Sequence, residues 1–391
     1  MSPNEDSAKI VEFLEKAFQS VQNLYSKPMH GQRTNFLMLV LPAIICAKSV
    51  QYHAIAAEMQ GDVQESSKAR RIHNFMSDYE IDYEFVSLFL IFMLPKSGKV
   101  RLSIDRTEWE FGSCTHNLLT VTAYTHGIGV PIWFECVAPN GGCSDEDDKK
   151  YVIMKCVELL GKERIKCVLG DSEFIGETWI NYLYSEGIIF YIDIRSNQYF
   201  GYKGQQWTVA QWMHRRYKSE LQGISIYGLT LNIGIKRQKL SKKVKKKPFL
   251  CVITNELSTN GILGIYRNRW SIEVFFQSIK GRGFNLEGTH LQDPLKIRRL
   301  FALVCMAFIL SFVVGLQLDK ISPIPLKKHG YKTNSFFRYG CDFIRQVLHQ
   351  RSKIPHYKKI FSKINASFVT FIQDKITLFN AIILNKKSFV T

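Results

Sequence analysis

The run Leu300–Leu316, LFALVCMAFILSFVVGL, limits what this chain can fold into more than any other stretch. Its 17 residues are apolar almost without a break. A membrane span needs about 20 such residues, so the run stands at the lower limit for one. The alternative is a helix that is apolar all round because protein surrounds it. The buried helix is the expectation, because one short span leaves the basic charge of the chain without a partner. Two other apolar runs, Phe36–Ala47 and Phe85–Leu94, are too short to span. The opening residues Met1–Asp6 lack a basic and apolar leader, so no secretory signal is expected. The nine cysteines are scattered with no C-x-x-C pair. This argues against a zinc ribbon or disulfide scaffold, and for reduced thiols in a cytosolic protein.

The formal net charge is +18, with 46% apolar and 22% charged residues over 391 positions. That is a globular composition with room for two or three units of about 150 residues. The excess charge points to a polyanion. It is concentrated in Lys236–Lys247 (KRQKLSKKVKKK, eight bases, no acid) and in residues 320–391 (net +12), while residues 1–96 are net −2. A lysine-rich run of this kind reads as a loop tracking a phosphate backbone, a localisation signal or a solvated hairpin tip.

Periodicity divides the chain further. Residues 8–26 carry a helical apolar stripe, and Asn35–Ala47 reads as a buried helix kinked at Pro42. Ser49–Met59, the turn at Gly61-Asp62 and Gln64–Phe75 resemble a helix-turn-helix, with Lys68, Arg70 and Arg71 on the helix that would enter a groove. Residues 97–195 read as three strands, a helix, a strand, a helix and a strand, an α/β layout with a mixed sheet. Strands are then expected at Gln206–Val209, Gly223–Leu231 running on through Asn232–Lys236, and Phe249–Thr254. Helix is expected from about Gly261 through Leu316, and again from 330 onward.

Two carboxylates stand where apolar strands are expected to end: Asp105 in Leu-Ser-Ile-Asp-Arg-Thr-Glu-Trp and Asp171 in Cys-Val-Leu-Gly-Asp-Ser-Glu-Phe. Such a pair can share hard cations, which prefer oxygen ligands, or can simply be solvated. A third group lies in Tyr266–Lys280. Tyr266, Arg269, Glu273 and Lys280 are spaced by 3, 4 and 7, which on a helix is one face. Trp270, Ile272, Phe275, Phe276 and Ile279 fall mostly off that face and are expected to bury the helix. A carboxylate among a guanidinium, an ammonium and a hydroxyl suits a metal ligand flanked by phosphate clamps. An exposed i,i+4 ion pair is the plainer reading.

The pattern Tyr-x2-Arg-x3-Glu-x6-Lys resembles the signature of DDE transposases of bacterial insertion sequences, insertion sequence family four. Asp-Arg-Thr-x-Trp at 105–109 and Gly-Asp-x-Glu-Phe at 170–174 resemble that group's first and second aspartate blocks, and Phe-Phe-Arg-Tyr-Gly at 336–340 also resembles it. The resemblance covers about residues 60–345. It implies an RNase H-like catalytic core with Asp105, Asp171 and Glu273 as catalytic and metal-binding residues for two Mg²⁺ ions, Mn²⁺ substituting. It implies DNA contacts from Tyr266, Arg269 and Lys280, with Trp270 as a further candidate. Segmentation and resemblance together give a helical DNA-binding region at 1–96 and a core at 97–199 and 256–318. A β-rich insertion at 200–255 interrupts that core, and a basic helical region follows at 319–391.

The expected activity is cut-and-paste transposition: cleavage of transposon ends and their joining to target DNA. The expected partner is duplex DNA, as terminal inverted repeats and target. A homodimer paired on two ends, no membrane, and a cytoplasmic, nucleoid-associated location complete the expectation. Two other readings remain open, an RNase H-like nuclease and an inactive or domesticated DNA-binding copy. Glu108, Glu110, Glu173 and Asp193 are carboxylates near the expected strand ends that stand outside the triad.

Overall fold

A computed structural model describes residues 5–25, 29–95, 98–112, 114–137, 145–214, 216–238, 248–349, 367 and 370–376. In chain order its elements begin with five helices, α1 (Glu5–Leu24), α2 (Gly31–Ala47), α3 (Tyr52–Glu58), α4 (Glu65–Asp78) and α5 (Tyr83–Met93). Then come β1 (Val100–Phe111), β2 (Cys114–Thr125), β3 (Ile128–Cys136), α6 (Glu146–Leu160), β4 (Ile165–Gly170), α7 (Glu177–Ser185) and β5 (Phe190–Asp193). Next are β6 (Tyr199–Tyr202), β7 (Gln205–Thr208), α8 (Val209–Trp212), β8 (Lys218–Ile226), β9 (Leu229–Arg237) and β10 (Phe249–Thr254). The last are α9 (Ile262–Tyr266), α10 (Trp270–Ile279), α11 (Pro294–Ile321) and α12 (Phe336–Leu348).

Chain contacts divide these into two units. The first takes the described residues of 1–97, 109–116 and 276–391; the second takes those of 98–108 and 117–275. The lysine-rich run from 239 to 247, and most of the basic segment beyond 349, lie outside the described residues.

In the first unit the expectation for the apolar run holds. It becomes the middle of α11, 28 residues long, and 94% of its most apolar window is buried inside protein. The helix starts where Asp293 accepts the Leu295 N–H and Pro294 takes the first turn, where its missing N–H costs nothing. It packs against α12, α5, α2 and α4. Two glycines allow the α11–α12 contact. A Cβ on Gly340 would fall on the Ser311 carbonyl oxygen and within 2.7 Å of the Gly315 nitrogen, and one on Gly315 would meet the Phe336 carbonyl. Phe337 stacks on Phe308 across the same contact, at 5.2 Å between ring centres. Thus the Phe-Phe-Arg-Tyr-Gly segment serves packing: Phe337 and Gly340 are buried, and Arg338 pairs with Asp342 on the outside.

The other helices of this unit follow their caps. Pro42 lies inside α2, which stays helical from Gly31 to Ala47. The chain then turns through Lys48 in the left-handed region (φ 50°), and α3 leaves at 106° to α2. Lys68 donates to the carbonyl of Met59 at 2.7 Å, tying α4 to the end of α3. Arg299 of α11 likewise reaches the α4 carbonyl of Ser77 at 3.2 Å, placing a cation at a helix C-terminus.

The second unit is built on one ten-stranded sheet in the order β3-β2-β1-β4-β5-β10-β9-β8-β6-β7. Strands β1, β4 and β5 are parallel; β2–β3 on one side and β10, β9, β8, β6 and β7 on the other run antiparallel to their partners. This is the expected α/β layout with a mixed sheet. Three hairpins turn through a non-glycine and a glycine that both have positive φ: His126-Gly127, Lys203-Gly204 and Tyr227-Gly228. Two-residue turns of that kind match the right-handed twist of the flanking strands.

These turns correct the sequence reading. Gly223–Leu231 is not one strand, because Tyr227-Gly228 folds it into the β8–β9 hairpin. A further strand, β6, lies before Gln205. The helix expected from Gly261 to Leu316 is also interrupted. It tightens to 3-10 geometry at Arg267–Arg269, ends at Ile279, and resumes only at Pro294. Gly281 and Gly283 supply the break.

Candidate active site

Strand β1 continues to Phe111, so Asp105 lies within a strand and not at its end. It does lie at the end of the parallel contact, since β1 pairs with β4 only through Ser103↔Leu169. Strand β4 then stops at Gly170, one residue before Asp171. Both carboxylates therefore emerge beside the carboxyl ends of parallel strands, where open α/β sheets place their ligands. Gly170 has no room for a side chain there: a Cβ would lie 2.8 Å from Ile192 Cδ1 and 3.0 Å from Phe174 Cβ. After it the chain forms a tight turn. Asp171 Oδ1 accepts the Glu173 N–H at 2.8 Å, and its carbonyl accepts the Phe174 N–H at 3.0 Å, an arrangement suited to Asp.

The third carboxylate arrives on α10. Gly129 of β3 lets this helix come close: a Cβ would lie 2.5 Å from Thr122 Oγ1 and 3.2 Å from Ile272 Cα, beside Glu273. The 3-10 turn at Arg267–Arg269 joins α9 to α10, and short 3-10 stretches within helices often mark functional positions. Arg269 donates from Nη1 to Asp105 Oδ2 at 3.2 Å and from Nη2 to Glu273 Oε1 in a short contact. One guanidinium thus bridges two of the three carboxylates.

The charges explain the titration of the site. Burial raises the Asp105 pKa, Arg269 opposes that rise, and Asp171 and Glu273 add to it; the result is about 7. Burial works against the charge on Arg269, but Tyr266, Asp105, Glu273 and Asp171 outweigh it and hold the guanidinium more firmly charged than usual. Burial also pushes the Tyr266 hydroxyl well above its ordinary value. Tyr266 is 7% exposed and packs with Cys167, Leu169, Tyr191, Val252, Ile262 and Leu263. Its ring centre lies 5.9 Å from the Arg269 guanidinium carbon.

The remaining candidates separate. Trp270, expected to help bury its helix, is instead 56% exposed beside Arg269. Lys280 follows the last residue of α10 and belongs to the first unit, where its Nζ lies 2.7 Å from Glu287 Oε1; it does not continue a helical face. In the same unit Lys68 is engaged with Met59, Arg71 lies over the Phe36 ring at 5.5 Å, and Arg70 is exposed. Of the four carboxylates outside the triad, Asp193 is buried and accepts the Cys251 N–H at 3.3 Å, and Glu110 is exposed. Glu108 and Glu173 both face Arg106, at 3.9 and 3.0 Å. The Arg106–Glu173 pair is the element that sequence reasoning missed. It links the residue after Asp105 to the turn after Asp171, with side chains only 9% and 21% exposed.

Three carboxylates and one guanidinium thus gather beside the carboxyl ends of β1 and β4, inside the mixed sheet. The model of the transposase DDE domain family matches residues 96–310, more than half of the chain. The protein belongs to that family and is an enzyme of the DDE transposase class. No curated protein matches the sequence. Among solved structures, a similar one is the cryo-EM structure of the piggyBac transposase synaptic complex with hairpin DNA. It is 12% identical, with a TM-score of 0.41 over 94% of this chain and 77% of that one.

Proposed function

We propose that this chain is a cut-and-paste DNA transposase of the insertion-sequence type, with an RNase H-like core at 97–199 and 256–318. The observation that carries the reading is the meeting of Asp105, Arg269 and Glu273, with Asp171 near enough to raise the Asp105 pKa. The strand order β3-β2-β1-β4-β5, with β4 and β5 parallel to β1, supports the core assignment. In this reading residues 200–255 are an insertion that extends the sheet, 1–96 bind DNA, and 319–391 and the lysine-rich run hold its backbone.

The donor set fits divalent metal. Asp105, Asp171 and Glu273 offer only carboxylate oxygens, the ligands hard ions such as Mg²⁺ or Mn²⁺ take, and a cation there would offset the burial and neighbouring carboxylates that raise Asp105. These residues would hold two ions, which when bound activate an attacking hydroxyl and stabilise a leaving oxygen.

The rest of the work falls to the chain. Arg269 holds two of the carboxylates in place and offers a planar fork to a phosphate; Tyr266 acts beneath it and Lys280 from the turn beyond α10. Exposed Trp270 presents a ring on which a displaced base can stack. Water attacks a phosphodiester in line at the transposon end and frees a 3′-hydroxyl. That hydroxyl then attacks a target phosphodiester. Each step exchanges one P–O bond for another, so no protein nucleophile is required.

The partners are terminal inverted repeats and target DNA. Two paired ends imply a homodimer, and access to chromosomal DNA implies a cytoplasmic, nucleoid-associated enzyme. Alanine at Asp105, Asp171 or Glu273 should abolish Mg²⁺-dependent cleavage of terminal repeats while sparing end binding; near-normal cleavage by any one of them removes the reading. Strand-transfer products separate a transposase from a nuclease. A covalently closed end among the cleavage intermediates, lost in Trp270→Ala, would show a hairpin step.

A further inference from the structure

A second group of metal-type ligands lies in the first unit. Cys46 in the last turn of α2, Glu58 at the end of α3 and His349 just after α12 each offer one ligand atom, and these atoms all lie within 4.8 Å of one another. The His349 Nε2–Glu58 Oε2 separation is 3.5 Å. We propose that Cys46, Glu58 and His349 form a structural binding site for a borderline divalent cation of the Zn²⁺ type, separate from the carboxylate triad.

The chemistry of the set argues for this. Thiolate, imidazole and carboxylate together are a zinc-type donor set, whereas Mg²⁺ takes oxygen alone. In a tetrahedral zinc site neighbouring ligand atoms stand about 3.5 Å apart, so the His–Glu pair already has that spacing. The thiol is buried and fixed, while Glu58 and His349 keep 30% and 42% of their side-chain surface and can swing to close on an ion.

There is also room. The three residues line a cavity of about 40 Å³, with Gln60 as a further polar wall and Met38 and Leu348 as apolar ones. One water needs about 10–15 Å³, so the cavity accommodates an ion and a water as fourth ligand. A thiolate and a carboxylate neutralise a divalent ion. The occupied site therefore presents no net charge to Arg345, whose Nε donates to the Cys46 carbonyl at 3.0 Å. His349 lies about 300 residues beyond Cys46 and Glu58 in sequence, so a bound ion would clamp the end of α12 onto α2 and α3.

The test uses the full chain carrying Asp105→Asn, which weakens the competing oxygen site. Purified protein should hold close to one zinc per chain by mass spectrometry of the metal. Cobalt substitution should give a thiolate-to-cobalt charge-transfer band, and added zinc should raise Tm. Both Cys46→Ser and His349→Gln should lose the zinc, the band and the Tm response. Replacing Cys46 also perturbs packing, so His349→Gln, at an exposed helix end, is the deciding variant. Zinc content and Tm response unchanged in His349→Gln, or wild-type ligands that hold no zinc and show no band, would overturn the proposal and leave an ordinary His–Glu ion pair beside a buried thiol.

Discussion

Arg269→Gln separates two roles that this residue combines. Arg269 is the counter-charge of Asp105 and Glu273, 3.2 Å from Asp105 and in contact with Glu273, with side-chain exposures of 14%, 14% and 27%. Removing one partner of a buried ion pair costs about 3–5 kcal/mol, because the charges left behind stay desolvated. The residual exposure here and the neutral hydrogen bond that glutamine retains lower that to roughly 2–4 kcal/mol. In a unit of this size the loss corresponds to about 4–16 °C in Tm. Divalent ions must compete with the guanidinium for the same oxygens. In Arg269→Gln they should bind more tightly and restore more stability than in wild type. Cleavage should nevertheless fall at least tenfold if Arg269 clamps a phosphate as proposed. Arg269→Lys should lie between, keeping charge without the bidentate fork. Thermal denaturation in EDTA and across a Mg²⁺ titration, beside a cleavage assay, measures all three effects. A Mg²⁺-induced Tm gain in Arg269→Gln no larger than in wild type would refute the reasoning.

Other consequences can be measured in the same way. Gly129→Ala should push α10 off β3 and lower cleavage strongly while costing only about 1–3 kcal/mol of stability, as an overpacked contact does. Arg106→Glu should reduce Mg²⁺-dependent cleavage, and the reversed pair Arg106→Glu with Glu173→Arg should recover part of it; no recovery would assign Arg106 to another partner. In EDTA, Asp105 with its folded-state pKa of about 7 binds a proton more tightly than the unfolded chain does. The stability from that proton is fully present below about pH 4 and lost as pH rises through about 7, so wild-type Tm should drop between pH 5 and 8 more than that of Asp105→Asn. Gly340→Ala should destabilise by about 1–3 kcal/mol through the α11–α12 contact. The same change at Gly264, exposed in α9 with open space around it, should stabilise by up to about 1 kcal/mol; equal denaturation midpoints would show that packing at Gly340 is not tight.

What could be read from the sequence follows a physical line. The order of strands and helices from β1 to β5 was legible because each apolar run carries its own period. So was the neighbourhood of Arg269 and Glu273, a relation within one helical segment. Turns built on Tyr227-Gly228 and Lys203-Gly204 were less visible, since only the glycine of each pair signals a left-handed turn. The position of Asp105 within β1 depends on where β4 stops, which is a tertiary fact. The Arg106–Glu173 pair arises from the same strand pairing and has no local signature. Trp270 shows the limit of composition: a tryptophan among apolar residues reads as core, yet here the helix turns its indole outward.

The division of the chain also sets a timetable for its synthesis. Helices α1 to α5 leave the ribosome early, but α11, on which α2, α4 and α5 pack, follows only after the whole second unit. The separation is close to 180 residues, from Ser97 to Phe276. At ordinary elongation rates of about 5–20 residues per second, the early helices wait roughly 10–40 s for their core. During that interval the faces of α2 and α5 that pack on α11 have no native cover. A chain truncated before α11 would carry Asp105, Asp171 and Glu273 and lack the centre of its first unit.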